Sequence, residues 1–465
     1  MSSAKMDFSP EEIKVFEKCD RDVVFVDDSV KKVEWDNIED IKFLDEGKFG
    51  HVRLVRLVGG FQSSEFTFAI DYVESEDDES KMEEEEEAEE EMQEFFASKY
   101  LNLNSHDPLD AAKQLAHEAR ILSGLDHENI IKLRGVCAND FAESLTNGSR
   151  GYFLLLDHLD GTLLDLLNQR RKEQRNKPKF FKKLALKSSS FRKSVVKRIT
   201  LIPGHVQRPD HVNTRRSSMK RLSSLSTVGE DKKPQSLSTK IVERLSFAST
   251  SSKTSEGRDH RKRQRDMYRR IQELSVVGIA KGLEYLHSKN IVFRDLKPAN
   301  IGYYRNSNNE WTVKLIDFGL AMDVDECEEG KLCGSLGYIS PEAMKGEKAK
   351  LETDVFSFGT VLTEICSLRE PYDNFRNPKR LSMVDFYDDI CNKVTNDGLR
   401  PMNDLEDILP CFGILAMVQD CWETPENRPA FSDIVPRLDA LLQQQKGGMP
   451  MSCDWTESMT EDHEE

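Results

Sequence analysis

The chain has 465 residues, 38% of them hydrophobic and 32% charged, with a formal net charge of −17. That length and apolar content suit one large two-lobed domain, or two ordinary ones, plus unstructured additions. No run of eighteen apolar residues occurs, and the opening MSSAKMDFSPEE lacks a basic region followed by an apolar one, so neither a membrane span nor secretion is expected.

Nine cysteines, an odd number with no CxxC pair and no zinc-ligand spacing, read as reduced thiols of an intracellular protein. The cytoplasm is the expected compartment, with the nucleus as the alternative.

In chain order, residues 1–35 read as a polar tail. Residues 41–58 read as two strands joined by a glycine turn at 47–50. An acidic insertion follows over about 59–93, and residues 74–94 hold fourteen acidic residues and one lysine. FFASKYL at 95–101 suits a strand, and Asp107-Pro108 opens an amphipathic helical run that reaches Leu125. YFLLLDHL at 152–159 is predicted as a buried strand from its continuous apolar character. From about 168 to 263 the chain turns basic and serine-rich, with twenty-eight Lys or Arg against eight Asp or Glu over 168–266. Such a composition buries too little surface to offset ordering entropy, so this insertion is predicted to be mostly disordered. Helical periodicity resumes at Met267 and recurs at 355–368 and 434–442, and residues 446–465 read as an acidic tail.

FRDLKPAN at 293–300 is followed seventeen residues later by Asp317-Phe318-Gly319, and then by Ser340-Pro341-Glu342. Together these resemble the catalytic loop, magnesium loop and activation-segment end of eukaryotic protein kinases. The style of DLKPAN, CGSLGYISPE and CWETPENRP is similar to the tyrosine-kinase-like group of serine/threonine kinases. The resemblance covers roughly residues 38–445 outside the two charged insertions. It implies an α+β bilobal fold: a small antiparallel β lobe with helix C and the hinge over 36–160, and a mainly helical large lobe over 161–445. It also implies ATP and Mg²⁺ between the lobes and protein Ser or Thr hydroxyls as acceptors.

Phosphoryl transfer needs a positioned hydroxyl and neutralised phosphates, with little covalent help from the protein. By the resemblance, Asp295 accepts or orients the substrate hydroxyl proton and Lys297 sits against the transferring phosphate. Asn300 and Asp317 supply the hard oxygen ligands that Mg²⁺ prefers. The glycine loop, LDEGKFGHV from Leu44, matches the family's GxGxxGxV at Gly47, Gly50 and Val52, with Asp45 in place of the first glycine. Glycine there permits special backbone angles and close approach, so Asp45 bears on how near the loop can come to phosphates. The implied adenine site has Val52 and Ala97 above, Gly302 below in place of a bulkier apolar residue, and the backbone of Asp157 and Leu159 at its edge.

Two segments compete for the phosphate-binding lysine. FAIDYV at 68–73 looks like the family's VAIK strand but carries Asp71 where the lysine stands, which would point to a pseudokinase. FFASKYL carries Ala97-Ser98-Lys99, and Glu118 in QLAHEARIL follows nineteen residues later, about the family's spacing to the helix C glutamate; from Asp71 the distance is forty-seven. Lys99 and Glu118 are therefore assigned as the pair. A pseudokinase or scaffold that binds nucleotide weakly or not at all is the alternative, motivated by Asp45, Asp71 and Gly302.

The resemblance further implies an apolar column of Leu122, Leu133, Phe293 and Phe318, an ion pair of Glu342 with Arg428, and Asp354 bracing the catalytic loop. AMDVDECEEGKLC at 321–333 holds no Ser, Thr or Tyr. Its Asp323, Asp325, Glu326, Glu328 and Glu329 either pair with Arg294 in place of a phosphate or simply solvate a mobile loop, while Ser335 is expected to touch Asp295 and Lys297. In the basic insertion, patterns ending at Thr200, Ser218 and Ser223 resemble basophilic kinase targets, but a solvated disordered segment is the preferred reading of them. DHRKRQR has no interleaved aromatics, so nucleic-acid binding is not expected. Substrate identity and oligomeric state leave no mark on the sequence.

Overall fold

The computed structural model describes residues 9–24, 30–46, 50–58, 95–101, 108–146, 151–176, 255–305, 311–375, 383–402, 404, 405, 409 and 411–446. The chain divides into two units, 1–167 with 250–465, and 168–249; of the second, only residues 168–176 are described.

Six strands make the small lobe: β1 (Lys31–Val33), β2 (Ile38–Glu46), β3 (Gly50–Leu57), β4 (Phe95–Leu101), β5 (Leu133–Cys137) and β6 (Phe153–Asp157). They lie in the order β1-β5-β6-β4-β3-β2, antiparallel except where β1 joins β5 in parallel. β6 is interior and buried at every position, which suits an unbroken apolar run covered on both faces. In the β3–β4 register Val52 stands opposite Lys99 and Leu54 opposite Ala97. Opposed residues and residues two apart share a face, so Val52, Ala97 and Lys99 line one side of the sheet. β2 slips register between Asp40 and Lys42 and again between Phe43 and Asp45, just before the glycine turn.

Helix α1 (Pro10–Val24) precedes the sheet, and helix α2 (Pro108–Ser123) follows β4. Proline opens α2, where a missing N–H costs nothing, and Asp110 in the first turn and Arg120 in the last complement the helix dipole. A short helix, α3 (Phe141–Thr146), joins β5 to β6. The large lobe holds α4 (Leu163–Asn176), α5 (Ser255–Glu273), α6 (Val276–Ser288), α7 (Pro341–Met344), α8 (Leu351–Ser367), α9 (Met383–Asn396), α10 (Phe412–Cys421) and α11 (Phe431–Lys446). Residues 353–366 of α8 are all buried, the mark of a central core helix. Two small sheets complete the lobe. One has the order β10-β9-β7, from β7 (Gly161–Thr162), β9 (Ile301–Arg305) and β10 (Trp311–Leu315); the other pairs β8 (Ile291–Val292) with β11 (Met322–Asp323). One apolar cluster runs from Phe16 through the sheet and α2 to Leu442. This is the bilobal α+β arrangement that the motifs implied. Among the described residues no helix is long and apolar enough to cross a membrane.

Two sequence expectations are corrected. Residues 1–35 are not simply a tail, because α1 and β1 lie there and Phe16 and Cys19 are buried. Ile13, Phe16 and Cys19 make a short apolar stripe among charges, and it is packing against α2 that gives the stripe its value. The basic insertion is also narrower than 168–263, since α4 runs to Asn176 and α5 begins at Ser255, twelve residues before Met267. Met267, Tyr268 and Ile271 anchor the C-terminal half of α5 in the core, and the helix propagates back from there into a polar sequence. The rest of that insertion, with Thr200, Ser218 and Ser223, lies outside the described residues. So do residues 59–94, with FAIDYV and Asp71, the tail after Lys446, and Gly47 of the glycine turn.

Candidate active site

β4 and α2 face each other across the interior of the small lobe. Lys99 Nζ lies 2.6 Å from Glu118 Oε2 and 3.0 Å from Asp317 Oδ1. The Phe318 N–H donates to Glu118 Oε1 at 3.3 Å, so one carboxylate ties helix, strand and magnesium-loop segment together. Glu118 is only 2% exposed. Burial pushes its carboxyl up, against the pull of the Lys99 ammonium. Burial also disfavours the Lys99 charge, but Asp317 and Glu118 together outweigh it and hold the lysine above its ordinary value. The Lys99 ammonium holds the Asp317 carboxyl below the usual carboxylate range, helped by Lys297 and the Gly319 N–H. Asp317 has left-handed backbone angles, φ 64° and ψ 73°, and its side chain is half-exposed.

The loop between β8 and β9 carries the second group. Lys297 Nζ donates to Asp295 Oδ2 at 2.7 Å and to Ser335 Oγ at 2.8 Å. The Asn300 amide donates to Asp295 Oδ2 and to its carbonyl, both at 2.9 Å. Asp295 Oδ1 is buried and takes no hydrogen bond among the described residues. Fully buried Asp354 on α8 holds the loop from below, accepting the N–H groups of Phe293 at 2.7 Å and Arg294 at 2.8 Å. Arg294 needs that support, since its φ of 67° is unusual for a residue with a side chain. The Phe293 and Phe318 rings meet edge to face at 5.1 Å, and both are fully buried; Leu122 and Leu133 are buried in the same core. Arg428 grips Glu342 with two bonds, 2.6 Å and 2.9 Å, and the guanidinium holds that carboxyl low despite burial.

The residues present fit Mg²⁺. Asn300 spends its amide N–H groups on Asp295 and keeps its side-chain carbonyl oxygen. The N–H of Ile316, next to Asp317, donates to the Asn300 backbone carbonyl at 3.0 Å, and the Lys99 ammonium holds the Asp317 carboxyl low. One neutral and one anionic hard oxygen, with phosphates and water completing the shell, is a usual magnesium donor set.

Asp157 ends β6. Its side chain is committed to Arg134 Nε at 2.6 Å, Lys314 Nζ at 3.1 Å and the Lys132 N–H at 3.2 Å, which leaves only its backbone for a ligand. Gly302 on β9 has an explanation that the sequence could not supply. A Cβ there would stand 2.2 Å from Leu159 Cδ1 and 3.3 Å from Ile316 Cγ2, so the Leu159 side chain already fills the space.

The acids of the activation segment do not pair with Arg294, which corrects the sequence expectation. Arg294 Nε donates to the Leu320 carbonyl at 2.6 Å. Asp323 and Asp325 accept from Asn290, Glu326 pairs with Arg120 on α2 at 3.2 Å, and Glu328 pairs with Lys331. His117, beside Glu118, reaches the Ala321 carbonyl at 2.6 Å from Nε2. Asn290, His117, Arg120 and the Asp157 network went unnoticed in the sequence because no local motif marks them. The one signal available was the position of His117 and Arg120 either side of Glu118.

The fold and the site together define a bilobal protein kinase domain. A family model described as protein tyrosine and serine/threonine kinase matches residues 97–438, more than half of the chain. The chain belongs to that family, whose members use ATP with Mg²⁺ and act on proteins. A probable serine/threonine-protein kinase of Dictyostelium discoideum is 36% identical over 165 residues, 35% of this chain and 35% of its own length. A serine/threonine/tyrosine-protein kinase of Arabidopsis thaliana is 33% identical over 183 residues, 38% of this chain and 41% of its own. A dual specificity protein kinase of Dictyostelium discoideum is 32% identical over 188 residues, 40% of this chain and 23% of its own. The chain thus spans well under half the length of the curated relatives it matches.

Proposed function

We propose that this protein is an active serine/threonine kinase that moves the γ-phosphoryl of Mg·ATP to hydroxyl groups on other proteins. The observation that carries the reading is Asp295. Lys297 and Asn300 hold one of its carboxylate oxygens, and the other is buried with no hydrogen-bond partner among the described residues, an acceptor left for a substrate hydroxyl. An unpartnered buried oxygen is costly, and such atoms collect at sites where a ligand completes the bonding.

Each remaining residue has a task. Lys99, held by Glu118, presents a charge that stays protonated at neutral pH to the phosphates. Asn300 and Asp317 would hold the metal. Mg²⁺, when bound, neutralises phosphate charge and steadies the oxygens in line. Lys297, fixed between Asp295 and Ser335, shields the charge that builds on the transferring group. Asp295 Oδ1 orients the acceptor hydroxyl and takes its proton. Val52 and Ala97 cover the adenine, and the backbone at Asp157 and Leu159 reads its edge.

The test is turnover by the full chain with Mg·ATP and a generic basic peptide, beside Asp295→Asn. The substitution is expected to lower kcat about 10²–10⁴-fold, the range of a lost general base. A wild-type chain that binds nucleotide yet transfers no more phosphoryl than Asp295→Asn would establish the scaffold reading instead.

A further inference from the structure

Helix α1 lies outside the segment that the family model matches, yet it is built into the core. Its Glu11, Lys14, Glu17 and Lys18 are exposed, whereas Phe16 and Cys19 are 0% and 2% exposed. It packs along α2 and also meets α3, whose Phe141 is fully buried.

Helix α2 is buried on two sides. Leu115, Glu118 and Leu122 share the face that looks onto Lys99 and Phe318. Ala112, Ala116 and Ala119, each at most 1% exposed, sit about 100–160° round the helix from Glu118 at 3.6 residues per turn. β4 and the turn at 318–320 stand on the Glu118 side. The buried alanine side, where small side chains allow a close approach, is what remains for α1, which has the most extensive contact with α2 of any described element. The first strand after α1 is anchored too. β1 pairs with β5, and the Trp35 indole N–H donates to the Gly151 carbonyl at 2.8 Å while its ring meets Phe153 at 4.6 Å.

We propose that α1 is a built-in positioning element for catalysis: wedged through Phe16 and Cys19 against the alanine face of α2, it holds that helix where Glu118 reaches Lys99. Phe16 and Cys19 are positioning residues, acting on the phosphates only through Glu118 and Lys99. The claim concerning turnover rests on the kinase reading above; the claim concerning geometry does not.

The test uses the full chain with Phe16→Asp, Phe16→Ala, the conservative Phe16→Leu and the exposed control Glu17→Arg. Two quantities are read: kcat against KM for ATP, and the rate at which an amine-reactive reagent labels Lys99, followed by mass spectrometry without nucleotide. Lys99 bonded to Glu118 and Asp317 is a poor nucleophile, so release of α2 exposes it. Phe16→Asp and Phe16→Ala are expected to speed Lys99 labelling at least tenfold relative to other lysines. They should also lower kcat by at least tenfold, within the roughly 10²-fold loss that about 1 Å of misplacement brings. Phe16→Leu and Glu17→Arg should behave as wild type in both. If Phe16→Asp does not fold, Phe16→Ala decides. Lys99 labelling unchanged in Phe16→Ala, or raised equally in Glu17→Arg, overturns the proposal. Labelling needs no turnover, so this result stands apart from any failure of the kinase reading.

Discussion

Lys99 on β4 and Glu118 on α2, nineteen residues apart, meet at 2.6 Å inside the small lobe. Glu118 is almost wholly buried, so the contact fixes where α2 sits relative to the sheet as well as the charge on the lysine. Lys99→Met is expected to lower kcat about 10²–10³-fold, the scale of one lost electrostatic stabiliser. Asp71→Ala, measured in the same steady-state assay, should stay within a few-fold of wild type. Equal activity of wild type and Lys99→Met would give the phosphate-binding role to another residue.

Gly302 and Leu159 make a second, separable prediction. Gly302→Leu forces two side chains into one space, so nucleotide affinity should fall by roughly tenfold, as overpacking of about 1–2 kcal/mol implies. Adding Leu159→Ala to Gly302→Leu should recover most of that loss. Nucleotide titration of the single and double variants reads the effect directly, and a double variant weaker than Gly302→Leu would contradict it.

His117 is expected to make the small lobe sensitive to acid. Burial lowers its pKa, and Arg120 and Arg294 reinforce the effect against the Ala321 carbonyl and Glu326. The folded state therefore favours neutral imidazole with its proton on Nε2. A depressed folded pKa contributes stability that is complete above the unfolded value of about 6.5 and is lost as pH falls through the folded value. Thermal unfolding should show wild-type Tm dropping between about pH 7.5 and pH 5.5 by more than that of His117→Gln. Parallel curves for the two proteins would exclude the histidine as the cause.

Asp157 is the most heavily engaged carboxylate at the hinge. Asp157→Ala removes the anion shared by Arg134 and Lys314, both largely buried. Breaking a buried pair from one side costs about 3–5 kcal/mol, so a loss of that order is expected in chemical denaturation. Asp157→Asn, which keeps the shape and some hydrogen bonding, should lose less. Comparable stability of Asp157→Ala and wild type would mean that solvent already screens the network.

The sequence alone determined the family and the residue types that phosphoryl transfer demands. FRDLKPAN and Asp317-Phe318-Gly319 are legible because the chemistry needs a carboxylate, a lysine and an amide within a few residues of one another. The pairing of Lys99 with Glu118 was readable through the resemblance, since the nineteen residues between them match the family's spacing from that lysine to the helix C glutamate. Tertiary structure decided what lacks a local signature. Phe16 looks like one apolar residue in a polar tail until α2 is there to receive it. The empty place at Gly302 is filled from Leu159, 143 residues earlier in the chain. The acids after Ala321 turn to Arg120 and Asn290 and away from Arg294, because the backbone sends the Arg294 guanidinium to the Leu320 carbonyl. In each case the outcome depends on which side chains the fold brings within about 4 Å, the range over which packing and hydrogen bonds act.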